Sequence, residues 1–192
     1  MEHKWNISTD SDKTMLEFYR YFVGIRPDPS LHPLFQQIAV GAGQAAHLDQ
    51  LHLTLCTIAE PKERDRFLAG RVRKAFREQV FHSVPVNLSR VSLGRNGAFA
   101  RTFGRQDEIQ EFYWRLVRLL AGCGIEPLHR KSGLHPHVTL GHAACGPGRM
   151  PISLPWYPAE LLLIESEVGL TRHNVLARWP LLPPRQRVAV RG

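Results

Sequence analysis

Residues 51–58, LHLTLCTI, carry the pattern on which the fold turns, because the kernel His52-Leu53-Thr54-Leu55 returns as His137-Val138-Thr139-Leu140. In the first copy Leu51, Leu53 and Leu55 alternate with His52, Thr54 and Cys56, the period of a strand with one buried face. Residues two apart on a strand share a face at roughly 6.5–7 Å. Each copy therefore sets an imidazole beside a hydroxyl while its aliphatic neighbours anchor in a core. One His-x-Thr on an alternating strand is usually a polar position facing solvent. Its recurrence, with the apolar residues between and after it, predicts that the two copies act together.

Working outward, FYRYFVGI (18–25) is rich in aromatic and branched residues and is stopped by Pro27 and Pro29, which predicts a first strand. Leu31, Leu34, Phe35 and Ile38 then recur at helical spacing behind Ser30, predicting a serine-capped helix ended by Gly41 and Gly43. Residues 62–80 place Phe67, Leu68, Val72, Ala75, Phe76 and Val80 on one helical face and their Lys and Arg residues on the rest. The Asn96-Gly97 turn signal joins strands at 84–93 and 98–103. A helix follows, with the stripe Ile109, Phe112, Tyr113, Leu116 and Leu120, a cap at Asp107 and an end at Gly122 and Gly124. After the second motif strand, 161–168 and 175–179 read as a closing hairpin. The Gly- and Pro-rich stretch 145–158 reads as a loop, too short for a domain boundary. Residues 1–192 are thus expected to form a single domain behind a polar lead at 1–17.

With 192 residues and 43% hydrophobic content the chain can bury a real core. The formal charge of +8 suits an anionic partner. Cys56, Cys123 and Cys145 are odd in number and lack CxxC spacing, which argues against a disulfide framework and a zinc site. No segment supplies the roughly 18 apolar residues of a membrane span. A cytoplasmic monomer without metal or other cofactor is expected.

Two such strands facing each other would place His52 and His137 on opposite sides of a substrate atom, with Thr54 and Thr139 as hydrogen-bond donors between them. That arrangement suits in-line displacement at phosphorus: one neutral imidazole takes a proton from water, and the other, protonated, gives one to the departing oxygen. The threonines hold the non-bridging oxygens as charge builds. The chemistry of the residues leaves open which histidine does which.

On these motifs the sequence resembles the two-histidine (2H) phosphoesterases, particularly the RNA 2′,3′-cyclic phosphodiesterases also called 2′-5′ RNA ligases. The likeness includes YRYFVGIRPDP, LHLTLCTIAEP, LHPHVTLGHA and ESEVGLTRHNVLARWPL. It implies an α+β fold of two pseudo-symmetric lobes with antiparallel sheets flanked by helices and the active-site cleft between them. It also implies opening of a terminal 2′,3′-cyclic phosphate to a 2′-phosphomonoester, on RNA ends or nucleotides that bear one. By position, His52 would be proton donor, His137 proton acceptor, and Thr54 and Thr139 the phosphate holders. The chain departs from the family where an arginine often follows the second motif, since it reads Gly141-His142 there. It also lacks the Pro-Arg signature between first hairpin and second helix, and has Asn174 in place of an aromatic in the last hairpin. Joining of 2′-5′ ends, cleavage of a small cyclic nucleotide, and RNA binding without turnover are the alternatives.

His135, His137 and His142, with Cys145, could suggest a metal site, but no carboxylate stands at ligand spacing. The basic run at 62–77 reads as a solvated helix face before it reads as an RNA track. Trp114 and Tyr113 are expected in the core. Tyr19, Tyr21 and Phe22 are the better candidates for stacking on a base.

Overall fold

The aromatic, branched run FYRYFVGI forms strand β1 (Phe18–Ile25) of the computed structural model, which describes residues 15–128 and 133–184. The polar lead lies largely outside the described residues. Behind β1, the Asp28 carboxylate accepts from the Ser30 N–H at 2.8 Å and caps a 3-10 turn (Pro29–Leu31). Helix α1 (His32–Gly41) follows directly. Ser30, expected as the cap, is instead the donor, because the Asp28 carboxylate reaches two residues forward in an Asx turn.

The first motif opens β2 (Leu53–Ala59). Its alternation is interrupted: Val23 pairs with Cys56 while Gly24 pairs with Thr54, so Leu55 is an extra residue in a bulge. Leu55 and Cys56 are therefore both buried, and Cys56 does not share the outward face expected for it.

Helix α2 (Leu68–Phe76) is much shorter than the expected 62–80. The Asp65 carboxylate accepts from the N–H groups of Phe67 and Leu68 at 2.9 and 3.0 Å and starts the helix there. Leu68, Val72, Ala75 and Phe76 face the core, but Phe67 and Val80 fall outside the helix and are 81% and 54% exposed. A short β3 (Phe81–His82), the hairpin β4 (Val86–Gly94) and β5 (Gly97–Thr102), and α3 (Asp107–Ala121) come next. Asp107 is the first residue of α3 rather than its cap; the position before it is Gln106, whose amide bonds both backbone groups of Asn87.

The second motif is β6 (His137–Gly141), followed by β7 (Gly148–Trp156), β8 (Glu160–Val168) and β9 (Arg172–Leu182). Strand β7 replaces the loop expected from the prolines of 145–158. It lies at the edge of the sheet, where Pro151 and Pro155 do not break a central ladder.

The strands form one order, β3-β9-β8-β1-β2-β6-β5-β4-β7. Apart from the parallel β3-β9 pair, neighbours are antiparallel. Leaving β3 aside, the order reads as two quartets, β9-β8-β1-β2 and β7-β4-β5-β6, meeting edge to edge. Each contains the same succession, β1-α1-β2 and β5-α3-β6, and these are the two pseudo-symmetric lobes. The helices are exchanged: α1 packs on β6 and α3 on β2. Among the described residues no helix is long and apolar enough to cross a membrane, and all three cysteines are free.

Candidate active site

The lobes meet where Leu53 pairs with Val138, both fully buried. Because neighbours on a strand point to opposite faces, His52, Thr54, His137 and Thr139 all emerge on the other face about this pair. Antiparallel register sets His52 beside Thr139 and Thr54 beside His137, a local two-fold arrangement. All four line one cleft of about 380 Å³, which Arg20, Phe22, His142, Ser166 and His173 also border.

Both imidazoles are held by the same device. His52 Nδ1 lies 2.7 Å from the Gln50 carbonyl oxygen, and His137 Nδ1 lies 2.9 Å from that of His135. A carbonyl only accepts, so each Nδ1 carries its proton and Nε2 is left to titrate in the cleft. Burial pushes His52 down to about 4 against the raising effect of the Gln50 bond, with His173, Arg26 and His137 adding to the depression. Burial also lowers His137, helped by Arg101 and His135. The free protein thus holds both imidazoles neutral near pH 7.

Of the aromatic candidates on β1, only Phe22 reaches the imidazoles: it stacks on His52 with centroids 4.7 Å apart and planes at 28°. Tyr21 is fully buried and its hydroxyl donates to Glu165 at 2.9 Å, so it is a core anchor rather than a stacking platform. Tyr19 is partly buried against the same core. Tyr113 is buried as expected, but Trp114 is 37% exposed. His173 meets His52 edge-on at 4.9 Å. It went unseen in the sequence because no local period marks TRHNV, and only the order β9-β8-β1-β2 brings it there.

The basic run is more structural than a solvated face. Arg64 gives two bonds to the buried Glu165, at 2.8 and 2.7 Å, Arg71 donates to the Gly124 carbonyl at 3.0 Å, and Arg73 donates to that of Leu176. Among the described residues no three His, Cys, Asp or Glu side chains are placed to hold a metal ion. His135 lines a neighbouring pocket and His142 the cleft, while the Cys145 thiol lies against the carbonyls of Gly94 and Gly97.

No family model matches the sequence, and no curated protein matches it. Solved structures do match. A phosphoesterase superposes with a TM-score of 0.69 at 19% identity over 86% of this chain and 99% of that one. E. coli LigT in complex with 3′-AMP gives 0.69 at 20% identity over the same shares. A protein of Thermus thermophilus gives 0.62 at 18% over 86% of this chain and all of that one.

The fold is that of the LigT-like 2H phosphoesterases.

In this example of the 2H phosphoesterase fold the two motif strands are the central pair of the sheet. The end of β6, where an arginine is missing from the sequence, is fixed by a clamp. Gln44 donates to the Ala143 carbonyl at 2.9 Å and accepts from the Ala143 N–H at 3.0 Å. Gly141 has to be glycine here, since a Cβ would strike the Gln44 amide. Asn174 donates to Glu165 and Glu167, a polar use of the position at which the 2H resemblance implies an aromatic.

Proposed function

We propose that this protein is a phosphoesterase that opens terminal 2′,3′-cyclic phosphates on RNA to 2′-phosphomonoesters by paired-histidine acid–base catalysis. The observation that carries this reading is the two-fold set of His52, Thr54, His137 and Thr139 around the Leu53–Val138 pair, each imidazole presenting Nε2 to one cleft. E. coli LigT, solved with 3′-AMP, with phosphate and with ATP, supports a site for phosphorylated nucleotides in this fold.

In the reaction, His137 Nε2 accepts a proton from water as its oxygen bonds to phosphorus, and His52 Nε2–H donates to O3′ as the P–O3′ bond breaks. The ring opens, the phosphate stays on O2′, and the two imidazoles have exchanged protonation states. Thr54 and Thr139 donate to the non-bridging oxygens, where charge accumulates. Since burial keeps both imidazoles neutral in the free protein, the donor takes up its proton from solvent as substrate binds, the phosphate anion favouring the imidazolium. The strained five-membered ring makes this sufficient, with each proton transfer contributing on the order of 10²–10⁴.

The test is digestion of a short cyclic-ended RNA with chelator present, with the product phosphate located by phosphorus NMR. Formation of a 2′-phosphate is expected. A 3′-phosphate, an intact ring, or turnover only on adding a divalent metal would overturn the proposal, and joined products with a 5′-hydroxyl RNA would identify ligation instead.

A further inference from the structure

A second pocket, about 500 Å³, opens beside the cleft and is lined by Arg90, Arg101, Arg105, Gln110, Trp114 and His135 among others, with no carboxylate among its described lining residues. It is joined to the cleft by sheet register. Arg101 pairs directly with His137 across β5 and β6, and Arg90 pairs directly with Arg101 across β4 and β5. Cross-strand partners share a face, so His137, Arg101 and Arg90 form one row in steps of about 4.8 Å.

The row is electrostatically costly on its own. Two arginines directly opposed on neighbouring strands repel, and among the described residues neither has a carboxylate partner. The Arg90 Nε is buried without a hydrogen-bond acceptor. Arg101 is held over the Phe99 ring at 5.2 Å, and burial, with Arg90 beside it, pulls its pKa down. Among the described arginines of the pocket only Arg105, exposed at the rim, has an acidic partner, Asp107.

The pseudo-symmetric position in the other lobe differs in having carboxylates around it. Arg26 follows Ile25, which pairs with Leu53, and so flanks His52 as Arg101 flanks His137. The Arg26 Nε is likewise buried without an acceptor, but its pocket contains Asp28, Asp49 and Glu160, and Glu160 pairs with Arg178 at 2.7 Å. One flank of the cleft carries both signs of charge, whereas the charged side chains among the described lining of the other are all arginines.

We infer that the Arg90–Arg101 pocket is a second subsite, holding the phosphodiester next to the reacting end, with Trp114 as a stacking surface for the base beyond. This deepens the reading above and rests on it. An anionic backbone would relieve the arginine pair and fill the unpaired donor, and backbone contacts of this kind position a chain without selecting sequence. Base stacking on an exposed aromatic is similarly tolerant of sequence.

The experiment compares kcat/KM for a cyclic-ended tetranucleotide with that for a 2′,3′-cyclic mononucleotide, in wild type, Arg90→Gln, Arg101→Gln and Trp114→Ala. The oligonucleotide-to-mononucleotide ratio is expected to fall about tenfold for each arginine variant, the loss of one charge-assisted contact. The dependence of log kcat/KM on log salt for the oligonucleotide should flatten by about 0.7 per arginine. Arg90→Gln should not lower the thermal midpoint, which separates a binding role from a structural one. An unchanged ratio and salt slope in folded variants would overturn the subsite while leaving the proposed reaction standing. Fluorescence anisotropy with a labelled tetranucleotide ending in a 2′-phosphate gives an arm independent of turnover. If wild type opens neither substrate but Arg90→Gln weakens this binding about tenfold, the subsite stands and the reaction fails. If wild type does not bind the oligonucleotide, the subsite is wrong.

Discussion

Leu53 stands directly opposite Val138, and this single register pair joins the two halves of the sheet. The two histidines and two threonines of the motifs are arranged about it, so the spacing of the histidines is set by backbone pairing rather than by side-chain reach.

Replacing His52 or His137 with alanine should therefore cost activity without costing the fold, since both side chains leave the core face. A loss on the order of 10²–10⁴ in kcat is expected from removing one proton-transfer group. Thr54→Val and Thr139→Val keep shape and strand preference while deleting one donor, with losses of about 10²–10³. Rates on a cyclic mononucleotide, read beside thermal melts, test this; a histidine variant with wild-type turnover would remove that residue from the mechanism.

The rate should follow a bell in pH whose limbs report two coupled imidazoles. In the free protein burial lowers both, His52 to about 4, so the alkaline limb of kcat/KM should lie below the ordinary histidine value of 6.5. A bound phosphate anion favours the cationic donor, so the alkaline limb of kcat should lie higher. Coincident limbs in the two profiles would show that bound substrate does not raise the donor's affinity for its proton.

Stability should also respond to pH. His52 and His173 are both lowered from 6.5 to about 4 on folding, so between those values the unfolded chain binds more protons than the native one. Unfolding free energy must then rise with pH across that window, and be lost on acidification from about 6.5 through about 4. Urea titrations at a series of pH values, repeated on His173→Asn, should show a shallower slope in the variant.

Glu165 is the buried hub beneath the cleft, receiving bonds from Arg64, Tyr21 and Asn174. Glu165→Gln should destabilise the protein by about 1–3 kcal/mol, because it swaps an acceptor for a donor facing donors. Arg64 is half exposed and can be rehydrated, which keeps the loss below that of a fully buried pair. A denaturant midpoint equal to wild type would contradict this.

The motif strands were legible because their strand period and their recurrence are both written locally. Helix α3 was legible for the same reason, its stripe filling the core through Ile109, Phe112, Leu116 and Leu120. What escaped detection depends on partners remote in sequence. Strand β7 carries two prolines that only its edge position makes tolerable. The start of α2 hangs on one carboxylate, Asp65, within a charged run that masks it. His173, Arg90 and Arg101 owe their significance to sheet register, which no spacing along the chain reveals.

The exchange of α1 and α3 between lobes makes the two halves mutually dependent. A seam with one ladder pair would by itself be a natural place for the molecule to part, but each half is fastened by a helix that belongs, by chain order, to the other. Cutting the backbone at the exposed turn residues Arg95 and Asn96 would leave two fragments, each holding a helix whose packing site lies on its counterpart. Such fragments should recover structure and activity only when mixed, as interlocked pieces rather than separable modules.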